Sequence, residues 1–442
     1  MMPHKISSRL GFGAGLTILS GAASAQGTAA NNKINLSLIG CGGRGTDLIN
    51  GFHKREQQDV HVVSCCDIRK DRGERAAAAV GAKYTDEMRA VLDDKSVDAV
   101  VVALPDHWHA LATFWACQAG KDVYVEKPAS HSAFEGQKCV EAARKYKRIV
   151  QHGTQNRSAP YNFAAKKYIE DGKLGDIHLC RVYNVKAYGG LNIKPDERIP
   201  EGFDYDRWLG PVPMRPYSSA VVGHGWHHLL DFSAGDMADD GIHQFDLARW
   251  LIGKEIPKSV YSAGGRFAQK DDADVPDTLI SSYEFDDMTV TFELASYPGY
   301  MFKIGNRNED LFPYPWMQCA TRIEIFGTKG LMVAGRHGGG WEVYDRPKNR
   351  QPVVRDLQHG RFPDPEHKEN FLQCLRSREL PNADIEKGHR STMLVHYATI
   401  SHRLGGVKLD IDTEDGTIKN HPDAAKYWKR EYRKPYEITE EV

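Results

Sequence analysis

An excess of charge of either sign is missing from this 442-residue sequence, in which 58 Lys and Arg stand against 59 Asp and Glu. Without a broad basic field the chain has little to draw nucleic acid or an anionic membrane to it, and a small neutral substrate fits better. A disulfide framework is also missing. Cys41, Cys65, Cys66, Cys117, Cys139, Cys180, Cys319 and Cys374 follow no framework spacing, and several fall inside apolar strand or helix patterns, as buried free thiols do. Internal repeats, low-complexity stretches and a twin-arginine pair near the N-terminus are absent. The N-terminal apolar run, residues 10–19, is shorter than the ~20 residues of a spanning helix and carries three glycines, so no membrane anchor is expected.

What the N-terminus does contain is Lys5 and Arg9, then that apolar run, then Ala23-Ser24-Ala25. Charged, apolar and small-residue segments in this order form an export signal, with cleavage near Ala25 and a periplasmic or otherwise exported product; a disordered arm is the alternative. Residues 26–33 then serve as a linker. The remainder is too long for one core of about 100–200 residues, which gives two domains.

Residues 34–155 alternate short apolar runs (34–39, 60–65, 97–103, 123–125, 149–150) with helical patterns, the signature of a doubly wound parallel sheet. Residues 156–410 change character. A helix and a strand lead into residues 188–235, rich in Gly, Pro and aromatics, and a connection of that length is usually functional. Alternating strands with short turns, one at Asp286-Asp287, then imply an antiparallel sheet. Two helices, near residues 367–378 and 387–404, are expected to cover one face of it, and residues 411–442 form a polar, aromatic-bearing tail.

Gly40-Cys41-Gly42-Gly43-Arg44-Gly45 matches G-x-G-x-x-G between a predicted strand and a predicted helix. Gly40 permits the tight turn, Gly42 lets the backbone approach a pyrophosphate, and Gly45 lets the helix pack on the strand. Asp67, at the end of the second strand, is placed to accept hydrogen bonds from the adenosine ribose and to repel a 2′-phosphate, favouring NAD. Arg69 and Lys70 leave NADP open. Two further strand ends, Leu104-Pro105 and Glu126-Lys127-Pro128, reach the same carboxyl edge, where a lysine can polarise a substrate hydroxyl. In "GDMADDGIHQFDLARWLIG", Asp239, His243 and Asp246 fall at i, i+4 and i+7 of a helix, so that His243 can take a proton and Asp239 can orient it. His107-x-His109 and His224-x-x-His227-His228 raise a metal site as a competing class, but no Cys or carboxylate spacing completes either, and no metal is expected.

The glycine loop, "EKP" and "DDGIHQFD" together resemble the glucose-fructose oxidoreductase / inositol dehydrogenase (Gfo/Idh/MocA) family over residues 34–410; "WLGP" (208–211) and "HGTQNR" (152–157) also look like family elements. The resemblance implies a Rossmann NAD-binding domain, a C-terminal α+β domain with a large, mostly antiparallel, open-faced sheet, and a homo-oligomer formed across that sheet. It implies Lys127, Asp239 and His243 as the catalytic group. Cofactor contacts would come from Gly40, Gly42, Gly43, Arg44, Gly45, Asp67, Leu104, Pro105, His109, Glu126, Lys127, Gln155 and Trp208. Substrate contacts would come from Lys127, Arg157, Tyr188, His228, Asp239 and His243. The implied reaction is hydride transfer between a sugar or cyclitol carbon and nicotinamide. One branch instead hydrolyses glycosides by transient oxidation at bound NAD; that branch tends to lack the EKP lysine, and Lys127 is present. A catalytically dead sugar-binding module would require loss of a key residue, and none is missing. An exported enzyme of this kind is expected to retain its cofactor, because nicotinamide is not recycled outside the cytoplasm.

Overall fold

The computed structural model describes residues 33–297, 299–303, 305 and 315–442; the expected export signal and nearly all of the linker lie outside these residues. Short runs form a six-stranded parallel sheet: β1 (Ile34–Ile39), β2 (Val60–Cys66), β3 (Lys83–Thr85), β4 (Ala99–Val102), β5 (Asp122–Val125) and β6 (Val150–His152), with β4, β5 and β6 fully buried. The strand order is β3-β2-β1-β4-β5-β6, all parallel. Helices α1 (Gly43–His53), α2 (Lys70–Val80), α3 (Met88–Asp93), α4 (Asp106–Gln118) and α5 (Ala133–Lys145) make the crossovers. Chain order reverses between β1 and β4, the switch point outside which such sheets bind their ligands.

After α6 (Pro160–Glu170), strand β7 (Ile177–Asn184) enters a second sheet. The connection that follows holds two short helices, α7 (Tyr205–Leu209) and α8 (Ser219–Gly223), then a π-turn over Met237–Gly241 that runs directly into α9 (Ile242–Ile252). Strands β8 (Ser259–Gly265), β9 (Thr278–Glu284), β10 (Thr289–Ala295), β11 (Arg322–Gly327), β12 (Gly330–Gly335), β13 (Trp341–Lys348) and β14 (Gln351–Gln358) follow, then helices α10 (Asp364–Ser377) and α11 (Ile385–Arg403) and strand β15 (Leu409–Asp410). The nine strands are ordered β14-β13-β12-β11-β7-β10-β9-β8-β15, antiparallel except for the β7/β10 pair. One face of this sheet is closed by α9 and α11 around Phe245, Tyr283, Phe292 and Leu394. Its other face is open, with Tyr261 and Ile280 about half exposed.

Two expectations change. Helix α10 does not cover the antiparallel sheet: Phe371, Leu372 and Cys374 pack with Leu36, Leu48 and Phe52 of the parallel domain. Its apolar stripe needed a partner, and the edge of Phe52 lies 6.1 Å from Phe371 between ring centroids. The C-terminal residues are also more than a polar tail, because Ile438 is buried in the α4–α5 core with Trp108, Phe114 and Phe134. All eight cysteines are free and buried, as expected.

Candidate active site

A cleft of about 1030 Å³ runs along the carboxyl edge of the parallel sheet, from Asp67, Arg69 and Arg72 at one end to Lys127, Trp226, His227 and Asp239 at the other. Gly40, Gly42, Gly43, Arg44, Leu104, Pro105, His109, Glu126 and Trp208 also line it. The glycines divide the labour as expected. At Gly40, φ is +96°, and a Cβ would sit 2.5 Å from the carbonyl oxygen of Ala103. At Gly45 a Cβ would collide with the Gly40 carbonyl, which lets α1 lie against β1. Gly42 differs: a Cβ there meets no protein atom within 4 Å. Its open side belongs to the cleft at the N-terminus of α1, the shape and polarity a pyrophosphate needs.

Asp67 is held before any ligand arrives. Its Oδ2 accepts from the Cys41 backbone N–H (2.7 Å) and its Oδ1 from that of Arg69 (2.8 Å). Burial raises its pKa against those two bonds and the charges of Arg72 and Arg69. Arg44 turns away from the phosphate position: Nε binds Glu126 at 2.8 Å and Nη2 binds Asp364 of α10 at 2.7 Å, tying loop and helix together. Glu126 stays charged; burial opposes this, and Arg44, with Lys127 behind it, prevails. His109 Nδ1 and Nε2 contact the carbonyls of Pro128 (2.8 Å) and Leu104 (2.7 Å), so this ring pins two strand ends together. Trp208 packs its ring against Tyr205, Phe232 and His107, and its carbonyl accepts from Trp108 Nε1 at 3.1 Å.

At the far end Lys127 Nζ donates to Asp239 Oδ1 at 2.5 Å. Burial pulls the lysine pKa down, but Asp239, then Asp106 and Asp240, overcome it and hold the ammonium above its ordinary value. Asp239 lies well below the carboxylate range: desolvation works against the charge, and the Lys127 ammonium outweighs it. The expected Asp239–His243 pairing does not form. The π-turn adds a residue to the helical turn carrying Asp239 and aims it at Lys127, and no regular i, i+4 stripe survives across the junction. His243 is buried, with no partner on Nδ1, and its ring packs edge-on against His337 at 4.3 Å. Burial first, then His337, Arg336 and Lys127, keep it neutral.

Of the expected site residues, Gly45, Gln155, Arg157, Tyr188, His228 and His243 do not line the cleft. Arg157 is buried and donates to both carboxylate oxygens of Asp246 at 2.9 Å, while Ser391 supplies a further donor to that carboxylate. This is an internal ion pair joining the residues after β6 to α9, so Arg157 as a substrate ligand is corrected. Gln155 is likewise buried and donates to the Tyr124 hydroxyl at 3.2 Å. Tyr188 and His228 do meet, with ring centroids 4.8 Å apart, beside His227.

The structure also places residues in the cleft that sequence reasoning passed over. Asp106 opens α4 directly after β4; it is buried, accepts from Ser233 Oγ at 2.6 Å, and burial pushes its pKa up to about 6. Its position just past a strand end at the switch point was the available signal. His227, which the sequence raised only as a candidate metal ligand, lines the cleft too, and Pro435 and Tyr436 of the C-terminal segment wall it. Among the described residues no cluster of three or more His, Cys, Asp or Glu is arranged to hold a metal ion.

Comparison with known proteins agrees with this geometry. Residues 34–154 match the oxidoreductase family, NAD-binding Rossmann fold, and residues 166–289 and 331–438 match the same family's C-terminal alpha/beta domain. The chain is 24% identical over 381 residues to a myo-inositol 2-dehydrogenase of Thermotoga maritima, covering 83% of this chain and 95% of that one. It is 27% identical over 303 residues to an uncharacterized oxidoreductase, YrbE, of Bacillus subtilis, covering 68% and 74%. A levoglucosan dehydrogenase solved with NADH and levoglucosan shares the fold, with a TM-score of 0.64 at 18% identity over 86% of this chain and 99% of that one. The chain belongs to the Gfo/Idh/MocA oxidoreductase family and is an NAD-binding oxidoreductase.

Proposed function

We propose that the protein oxidises a ring hydroxyl of a sugar, glycoside or cyclitol, with Lys127, Asp239 and His243 as the reacting group. The observation that carries this is the buried Lys127–Asp239 contact at the end of the cleft away from Asp67. Bound NAD supplies the hydride acceptor. The Lys127 ammonium, kept charged by Asp239, donates to the substrate oxygen and stabilises it as the hydroxyl proton leaves. His243 takes that proton; burial keeps its imidazole neutral and therefore able to accept it. Trp226 lines the same end of the cleft and gives a ring an aromatic surface to lie beside. The relatives named for inositol and levoglucosan support a ring polyol as substrate. Screening levoglucosan, myo-inositol and methyl glucosides by NADH absorbance tests the reading; turnover of none of them refutes it.

The same reading places the enzyme outside the cytoplasm with a resident cofactor and as a homo-oligomer. Ala23-Ser24-Ala25 supports export, and burial of all eight thiols suits an oxidising compartment. The exposed Tyr261 and Ile280 on the open sheet support assembly there. Nicotinamide released on heating the purified mature protein, and a sedimentation coefficient above that of a monomer, are the expected results.

A further inference from the structure

His227 lines the cleft, and the reaction above leaves its chemistry unused. Its Nδ1 lies 2.9 Å from the His224 carbonyl oxygen. A carbonyl only accepts, so Nδ1 carries the proton, and in the neutral ring Nε2 is a bare lone pair. Trp226 stacks on the imidazole, with His224 and Tyr188 edge-on around it, so the ring is fixed in this orientation. Burial lowers the ring's pKa, although Asp239 and Asp106 pull the other way.

The bare Nε2 faces another acceptor. Asp239 Oδ1 is 3.9 Å away, beyond hydrogen-bond reach, and that same oxygen accepts the hydrogen bond from Lys127 Nζ. Asp239 Oδ1 already has the Lys127 donor, so Nε2 is the acceptor still open, and His227 lines the cleft where a donor can enter. Lys127 marks where the reacting hydroxyl sits, so the donor belongs on an atom next to it. Lys127 Nζ and His227 Nε2 both lie beside Asp239 Oδ1, at 2.5 and 3.9 Å, so they are placed to meet hydroxyls on adjacent ring carbons.

We propose that His227 Nε2 accepts a hydrogen bond from the substrate hydroxyl next to the one oxidised, so that the enzyme is selective for ring polyols with a free vicinal hydroxyl at that carbon. This rests on the assignment of the reacting hydroxyl to Lys127. His227 thus contacts substrate without taking part in hydride transfer. A site built around such a bond rejects the analogue that lacks the hydroxyl, because the bare nitrogen is then left buried and unpaired.

The test uses the cofactor-loaded enzyme, whichever of levoglucosan, myo-inositol or methyl glucosides it oxidises, and the two monodeoxy analogues flanking the oxidised carbon. One analogue is expected to lose about tenfold to a hundredfold in kcat/KM with wild type. His227→Phe, which keeps a flat ring against Trp226, should lose a similar factor on the parent and no longer separate parent from analogue; His227→Gln should keep part of the discrimination. Unchanged NADH affinity in both variants reports an intact fold. Independently, nitrogen NMR of the wild-type protein should show His227 protonated on Nδ1 and bare on Nε2. Full discrimination surviving in His227→Phe, both analogues oxidised within twofold of the parent, or the opposite tautomer each overturns the inference while leaving the proposed reaction in place. Oxidation of no polyol overturns the proposed reaction, and this inference with it.

Discussion

Replacing Gly42 by alanine separates the glycine loop's service to the ligand from its service to the fold. The residue has φ −68° and ψ −176°, a conformation open to any L-residue, and a Cβ there meets no protein atom within 4 Å. Folding stability should therefore move by no more than about 0.5–1 kcal/mol, and in the stabilising direction if alanine mainly restricts the unfolded chain. The added methyl instead occupies the cleft where backbone and pyrophosphate must touch. Losing the close approach of even one charge-assisted N–H bond, worth about 1.5–3 kcal/mol, weakens NAD binding at least tenfold. Gly45→Ala is the counterpart. Its Cβ would press on the backbone carbonyl of Gly40, which cannot swing aside, so the cost should appear as lost stability. Urea denaturation and calorimetric titration with NAD, run on both variants, give the four numbers required. A Gly42→Ala protein that binds NAD as tightly as wild type would refute the placement of the pyrophosphate against this loop.

Other perturbations test other parts of the site. Asp106, with a folded pKa raised by burial to about 6, holds its proton where the unfolded chain has lost it, so stability should fall as pH rises from about 4 through 6 and then level off. A rise from 3.8 to about 6 corresponds to ~3 kcal/mol, so Asp106→Asn should gain up to that amount at pH 8 and nothing below pH 3.5, read by urea midpoints across pH. Arg157→Met leaves Asp246 buried and unpaired and should cost about 3–5 kcal/mol of stability without changing the NAD affinity of the folded protein; a selective loss of substrate affinity would restore Arg157 to the substrate site. His243→Gln should slow single-turnover NADH formation by about 10²- to 10⁴-fold with cofactor binding retained, and a wild-type rate would remove His243 as the base.

The parallel domain was largely legible in the sequence because its signals are local. Runs such as 34–39 and 60–65 are apolar in a helix–strand alternation that admits few topologies, and the Gly40 to Gly45 spacing gains its meaning from the strand before it and the helix after it. The rest depended on packing that no local pattern encodes. The stripe on α10 shows that the helix must be covered but not that Phe52 and Leu36, some three hundred residues earlier, cover it. Asp239 and His243 share an i, i+4 spacing, yet the π-turn breaks that register and Asp239 pairs with Lys127 instead. His227 reads in sequence as one of several histidines with metal-ligand spacing. Its value as an acceptor exists only once the His224 carbonyl has fixed its tautomer.

The central claim is that a hydride leaves a ring carbon of the substrate for nicotinamide in this cleft. The most direct measurement is a single turnover of the NAD-loaded protein with ring-deuterated levoglucosan and myo-inositol, followed by mass spectrometry of the cofactor released from the protein. Deuterium carried on the nicotinamide ring is the predicted result; turnover of either compound with no deuterium on the cofactor would contradict it.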